Sequence, residues 1–237
     1  VTIPAEIDST PVTTIGQNAF NAKYAGLTNY PQVAAVDFSD ATNLEKIDNQ
    51  AFQYSPVTSV DLSKTKVATI GKFAFGECTS LETFIFPDTL TSLGNSDGAS
   101  VFKDCKSLKI MRLANSPKGV VFALPETLTY IGKDTFRNCF ADGVEAKVVI
   151  PASVATLGEG AFYDKHITQI IFKKTVDPWK NEEDYSGYEN SAMIPPNGCD
   201  RIIVLPNNKC FAAYSTQVGD GSKLQKICTY PIKIMFY

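Results

Sequence analysis

The chain has 237 residues, 44% of them hydrophobic and 20% charged, with a formal net charge of −3. That balance suits a folded chain with a sizeable core and excludes a disordered one. A pI near 5.3 argues against nucleic acid as the main partner, and no apolar run approaches the roughly 18 residues that a membrane-spanning helix needs.

The chain opens on Val1-Thr2-Ile3-Pro4, a form that returns at Phe84-Ile85-Phe86-Pro87. It therefore enters in the middle of a repeat, and an upstream segment is expected to have been removed, a secretion signal foremost. A Gly-x-x-Ala-Phe element then recurs at 16–20, 71–75 and 158–162. Variants stand at 48–52, with Asp48 for Gly, at 132–136, with Thr135 for Ala, and at 94–102, stretched by a polar insert. Phe20, Phe52, Phe75, Phe102, Phe136 and Phe162 lie 32, 23, 27, 34 and 26 residues apart. The interval of 23 is the bare repeat and the longer ones carry loops, which is the signature of a solenoid.

A second element is a short apolar alternation: Val36-Asp37-Phe38, Val60-Asp61-Leu62, Phe84-Ile85-Phe86, Met111-Arg112-Leu113, Val148-Val149-Ile150 and Ile170-Ile171-Phe172. Period two over so few residues predicts strands with one buried face. Strands one repeat apart stack in parallel, about 4.8 Å apart, and the chain between them returns as irregular turns. The Gly allows a tight turn or close backbone approach, and the repeated Phe residues are expected to stack as an aromatic spine.

The pattern Leu81-x-x-Phe84-x-Phe86-Pro87, followed by Leu90-x-x-Leu93-Gly94 and the repeated Ala-Phe-x-x-Cys, resembles the BspA-like leucine-rich repeat family over roughly residues 1–172. Ile203-Val204-Leu205-Pro206 followed by Phe211-Ala212-Ala213-Tyr214 is similar to the closing segment of such proteins, where a last strand leads into a short helix. The resemblance implies a right-handed leucine-rich repeat solenoid, mainly β with little helix. It also implies export to the bacterial cell surface and adhesion to host matrix proteins or other cells. On this reading 1–237 is one domain, with repeats to 174 and a last strand and C-terminal cap over 175–237.

The six Cys form no CxxC pair, which weakens any zinc reading. Cys78, Cys105 and Cys139 each follow a repeat Phe by three residues and are expected to be small buried hydrophobes. Cys199, Cys210 and Cys228 admit a local disulfide. His166 is the only His and has no nucleophile signature beside it. The run Glu182-Glu183-Asp184 reads as solvated surface. No cofactor, metal or catalytic set is expected, and the chain is read as non-enzymatic.

The middle residue of each triplet is expected to face outward, giving Thr2, Asp37, Asp61, Ile85, Arg112, Val149, Ile171 and Val204 in repeat order. The face begins acidic and ends apolar. Val149, Ile171 and Val204 are the expected partner surface if left bare. The alternatives are β-propensity alone, or cover by the segment that follows Lys173. That segment carries Trp179, Tyr185 and Tyr188, read either as a cap on the last coil or as aromatic anchors. Charge is uneven, net −5 over 1–62, +3 over 63–174 and −1 over the rest. The function expected is a surface binding or adhesion module for a protein or glycan. Its rivals are a structural spacer, or a hydrolase that would need His166 or paired carboxylates in a deep pocket.

Overall fold

The structure, a computed structural model, describes residues 1–23, 33–95, 98–173, 201–205 and 232–236, the last two segments as backbone. A short antiparallel hairpin, β1 (Glu6–Ile7) and β2 (Thr10–Pro11), precedes the repeats. Then come β3 (Thr14–Ile15), β4 (Lys46–Ile47), β5 (Ser59–Asp61), β6 (Thr69–Ile70), β7 (Thr83–Phe86), β8 (Ser92–Leu93) and β9 (Ile110–Leu113). They are followed by β10 (Tyr130–Ile131), β11 (Ala146–Ile150), β12 (Thr156–Leu157), β13 (Ile167–Phe172), β14 (Arg201–Leu205) and β15 (Ile232–Phe236). No helix occurs among the described residues.

The apolar triplets form the expected parallel ladder. Asp61 registers with Ile85 and Ile85 with Arg112 across β5, β7 and β9. Val149, Ile171 and Val204 register across β11, β13 and β14. At the start, Thr2 pairs with Asp37 as a single parallel bridge. The ladder also runs one rung beyond the strand that the sequence marked as last, because β15 pairs in parallel with β14.

A second ladder went unread in the sequence. Strands β3, β4, β6, β8, β10 and β12, two residues each, stack in parallel along another side of the coil. Their inward residues, Ile15, Ile47, Ile70, Leu93, Ile131 and Leu157, are all buried. A two-residue strand is too short to show an alternation. The Gly that follows is explained by close approach of the preceding coil. A Cβ at Gly158 would lie 2.4 Å from the Lys133 backbone nitrogen. Gly158→Ala is therefore expected to lower stability by about 1–3 kcal/mol in urea unfolding.

Between the ladders run the turns that carry the spine. Phe20, Phe52, Phe75, Phe102, Phe136 and Phe162 stack face to face with centroid spacings of 4.8, 5.1, 5.7, 5.8 and 5.4 Å. Ladder residues meet this column edge-on, as Phe84 does with Phe75 and Phe102. Hydroxyls tie coil to coil: Thr89 Oγ1 donates to Val67 O at 2.9 Å, and Ser153 Oγ donates to Leu128 O at 2.7 Å. Each coil leaves an apolar side for its neighbour to cover, so the core is one continuous column.

The longest Phe interval, from Phe102 to Phe136, has a structural cause. Residues 114–124 leave β9, loop outward and return as an extra rung beside it. Met111 N–H donates to Val121 O at 2.7 Å and Ala123 N–H donates to Met111 O at 2.9 Å. This rung divides the first ladder into a three-strand part, β5-β7-β9, and a four-strand part that begins at β11. The sequence implied an unbroken ladder here, and an insert is what breaks it.

Candidate functional site

The outward residues of the first ladder fall into three groups. Asp37 and Asp61 are exposed and line an open cleft of about 300 Å³ with Lys64. Each also closes its own turn: Ser39 N–H donates to Asp37 Oδ1 at 2.8 Å, and Ser63 N–H donates to Asp61 Oδ1 at 2.9 Å. The Ser39 N–H, aided by its hydroxyl, holds the Asp37 carboxyl below the usual range. Ile85 is half-buried. Arg112 turns to the insert, where Nη1 donates to Ser116 O at 2.9 Å and Pro117 O at 3.4 Å. It fixes the base of that loop.

Val149 and Ile171 lie side by side as expected but are half-buried, not bare. The large hydrophobic residues that are openly exposed among the described residues are Val1 and Ile7. Val204 continues the register, and its side chain lies outside the described residues, as do Trp179, Tyr185, Tyr188, Cys199, Cys210 and Cys228.

The larger feature was not foreseen. A cleft of about 640 Å³ opens between the insert and the outer face of β11. Leu113, Val121 and Leu124 form one wall and Val149 and Lys147 the other, with a Glu126–Lys173 ion pair at the rim. The one sequence signal for it was the 34-residue Phe interval, since an insert of that size has to leave the coil on some face.

A polar cluster surrounds the only His. His166 Nδ1 lies 2.9 Å from Asp164 Oδ1 and Nε2 lies 3.3 Å from Asp142 Oδ1. Asp164 is buried and its carboxylate also accepts from the backbone N–H groups of Phe140 (3.0 Å) and His166 (2.8 Å). Asp142 is exposed, and the Lys165 ammonium, then His166, hold its carboxyl below the usual range. The cluster borders an open cleft of about 380 Å³, and the described residues that line it include no Ser, Thr or Cys to serve as a nucleophile. Asp164 is a keystone joining two coils. Asp164→Asn gives up acceptor capacity that these N–H groups use, and is expected to lower stability by about 1–3 kcal/mol in chemical unfolding.

Cys78, Cys105 and Cys139 are free and fully buried. Their thiols donate to Phe52 O at 3.0 Å, Phe75 O at 2.9 Å and Phe136 O at 3.3 Å. Burial pushes all three thiols far above their ordinary range. They behave as core residues with a polar tip, and a nucleophile needs the opposite shift.

Parallel ladders, one spine residue per coil and no helix among the described residues define a leucine-rich repeat β-solenoid. The chain belongs to the BspA type leucine rich repeat family, whose model, in six copies, matches residues 5–120, 45–182 and 114–202. No curated protein matches it. Among solved structures it is similar to the leucine rich repeat protein TpLRR of T. pallidum, with a TM-score of 0.53 and 19% identity. That match covers 99% of this chain and 86% of the other. A leucine-rich repeat protein from Bacteroides ovatus matches at a TM-score of 0.31 and 17% identity, covering 100% and 70% of the two chains. The pneumococcal vaccine antigen PcpA matches at 0.33 and 12%, covering 100% and 88%.

Proposed function

We propose that this protein is a non-enzymatic binding module of the bacterial cell surface, which holds a protein partner against its first ladder. The observation that supports this reading best is the 640 Å³ cleft, with apolar residues of the insert and its flanks on one wall and ladder residues on the other. Leucine-rich repeat proteins as a class bind proteins, and the repeat family of this chain supports the same use here. The partner face comprises Asp37, Asp61, Ile85, Val149, Ile171 and Val204, with Arg112 bracing the insert at its centre. Trp179, Tyr185 and Tyr188 are anchors at its far end, and 1–237 acts as one domain. The test is a binding screen of the purified protein against immobilised extracellular matrix proteins and a glycan array. Saturable capture of a protein that Val149→Asp weakens supports the reading. Failure on every surface, or capture indifferent to the whole ladder face, overturns it.

A further inference from the structure

We infer that the cleft between the insert and β11 receives an extended peptide segment of the partner, added to β11 as a strand. The inference rests on the binding-module reading and names its partner class.

The argument is one of parity. Along a parallel strand, the N–H and C=O groups of successive residues point to opposite neighbours. Ala146 N–H donates to His166 O at 2.8 Å, and Ile150 O accepts from Lys173 N–H at 3.1 Å, so the even-numbered residues of β11 serve β13. Lys147 and Val149 consequently direct their backbone groups the other way, into the cleft that they line. On the opposite wall, Val121 and Ala123 are engaged with Met111, which turns the Phe122 N–H and C=O toward β11. Among the described residues no backbone hydrogen bond joins the insert to β11. The ladder thus carries an open strand edge in its interior, beside a cavity, and such an edge is a template for another strand.

Strand addition draws affinity from main-chain bonds and specificity from alternate side chains. The outer side chains along this edge are Glu145, Lys147 and Val149, at a spacing of two. Glu126 and Lys173 pair with each other, whereas Glu145 and Lys147 enter none of the ion pairs among the described residues. Cross-strand pairing then favours a peptide with a basic, an acidic and an apolar residue at alternate positions. A glycan has no regular alternation of N–H and C=O to offer this edge.

The test uses end-blocked, fluorescein-labelled Lys-Ser-Glu-Ser-Val-Ser and its reversed order, titrated with the intact protein and read by anisotropy. One order is expected to bind saturably. N-methylation of alternate amides should weaken it at least about tenfold in the frame that faces Lys147 and Val149 and less in the frame that faces Phe122 alone, the mark of a paired strand edge. Lys147→Glu should weaken binding about fivefold, and a peptide with Lys in place of Glu should recover it. Absence of binding by either order, equal loss in both N-methyl frames, or full displacement by an oligosaccharide overturns the inference. The same Lys147→Glu protein is carried through the screen of matrix proteins and glycans. Partner capture that is unchanged by the substitution overturns the cleft assignment while the binding-module reading stands. No capture by the wild-type protein overturns that reading itself.

Discussion

Phe75→Ala will lower the stability of this protein by about 3–5 kcal/mol, measured by urea or thermal unfolding. Phe75 is fully buried and lies between Phe52 and Phe102, at centroid distances of 5.1 and 5.7 Å with rings nearly parallel. Phe84 meets it edge-on at 5.0 Å. Truncation removes contacts to three aromatic neighbours at once and leaves a hole between coils that are fixed by two ladders. The neighbours cannot close that hole without breaking ladder register, so the cost belongs at the upper end for a core substitution. Phe20 is the contrasting case. It is stacked on Phe52 alone within the spine and is only partly buried, so Phe20→Ala should cost clearly less. Equal losses at the two positions would mean that stacking along the column is not what holds the coils.

The spine could be read directly from the sequence because one large residue recurs at one position, and its geometry follows from parallel stacking. The outward triplet residues could be read for the same reason, and Asp61, Ile85 and Arg112 register as their spacing implies. The second ladder escaped because its strands have two residues and no visible alternation. The cleft escaped for a different reason. A repeat pattern specifies what each coil shares, whereas the path of an insert depends on which backbone groups it meets. Here the return leg of 114–124 pairs with Met111, and Arg112 fixes its base. His166 has Asp164 two residues away in the same turn, in a structural role, and coil-to-coil stacking adds Asp142 from 24 positions away. Residues 23 or more positions apart become neighbours one coil away, so local motif searching cannot see them.

Alkaline pH offers the second large effect, and its sign follows from the buried thiols. Burial raises Cys78, Cys105 and Cys139 well above an ordinary thiol, so the folded protein keeps three protons that the unfolded chain releases above about pH 8.5. The stabilisation is fully present below the unfolded thiol pKa and is lost as pH rises toward the folded one. Each thiol contributes a slope of about −1.4 kcal/mol per pH unit, and three give about −4. Raising the pH from about 8 to about 9.5 should therefore remove about 4 kcal/mol, before Tyr and Lys residues titrate. Urea unfolding at a series of pH values measures the slope. Single Cys78→Ala, Cys105→Ala and Cys139→Ala variants should each reduce it by about 1.4 kcal/mol per pH unit, whatever they do to stability at neutral pH. A slope unchanged in the triple variant would mean that the core accepts thiolates, which no array of carbonyl acceptors around three sulfurs should permit. The carbonyls of Phe52, Phe75 and Phe136 receive the S–H groups, and an anion in the same place would face their negative ends. The column that excludes water from the thiols is the one that carries the Phe spine, so a wild-type protein with no alkaline slope should also show little penalty for Phe75→Ala.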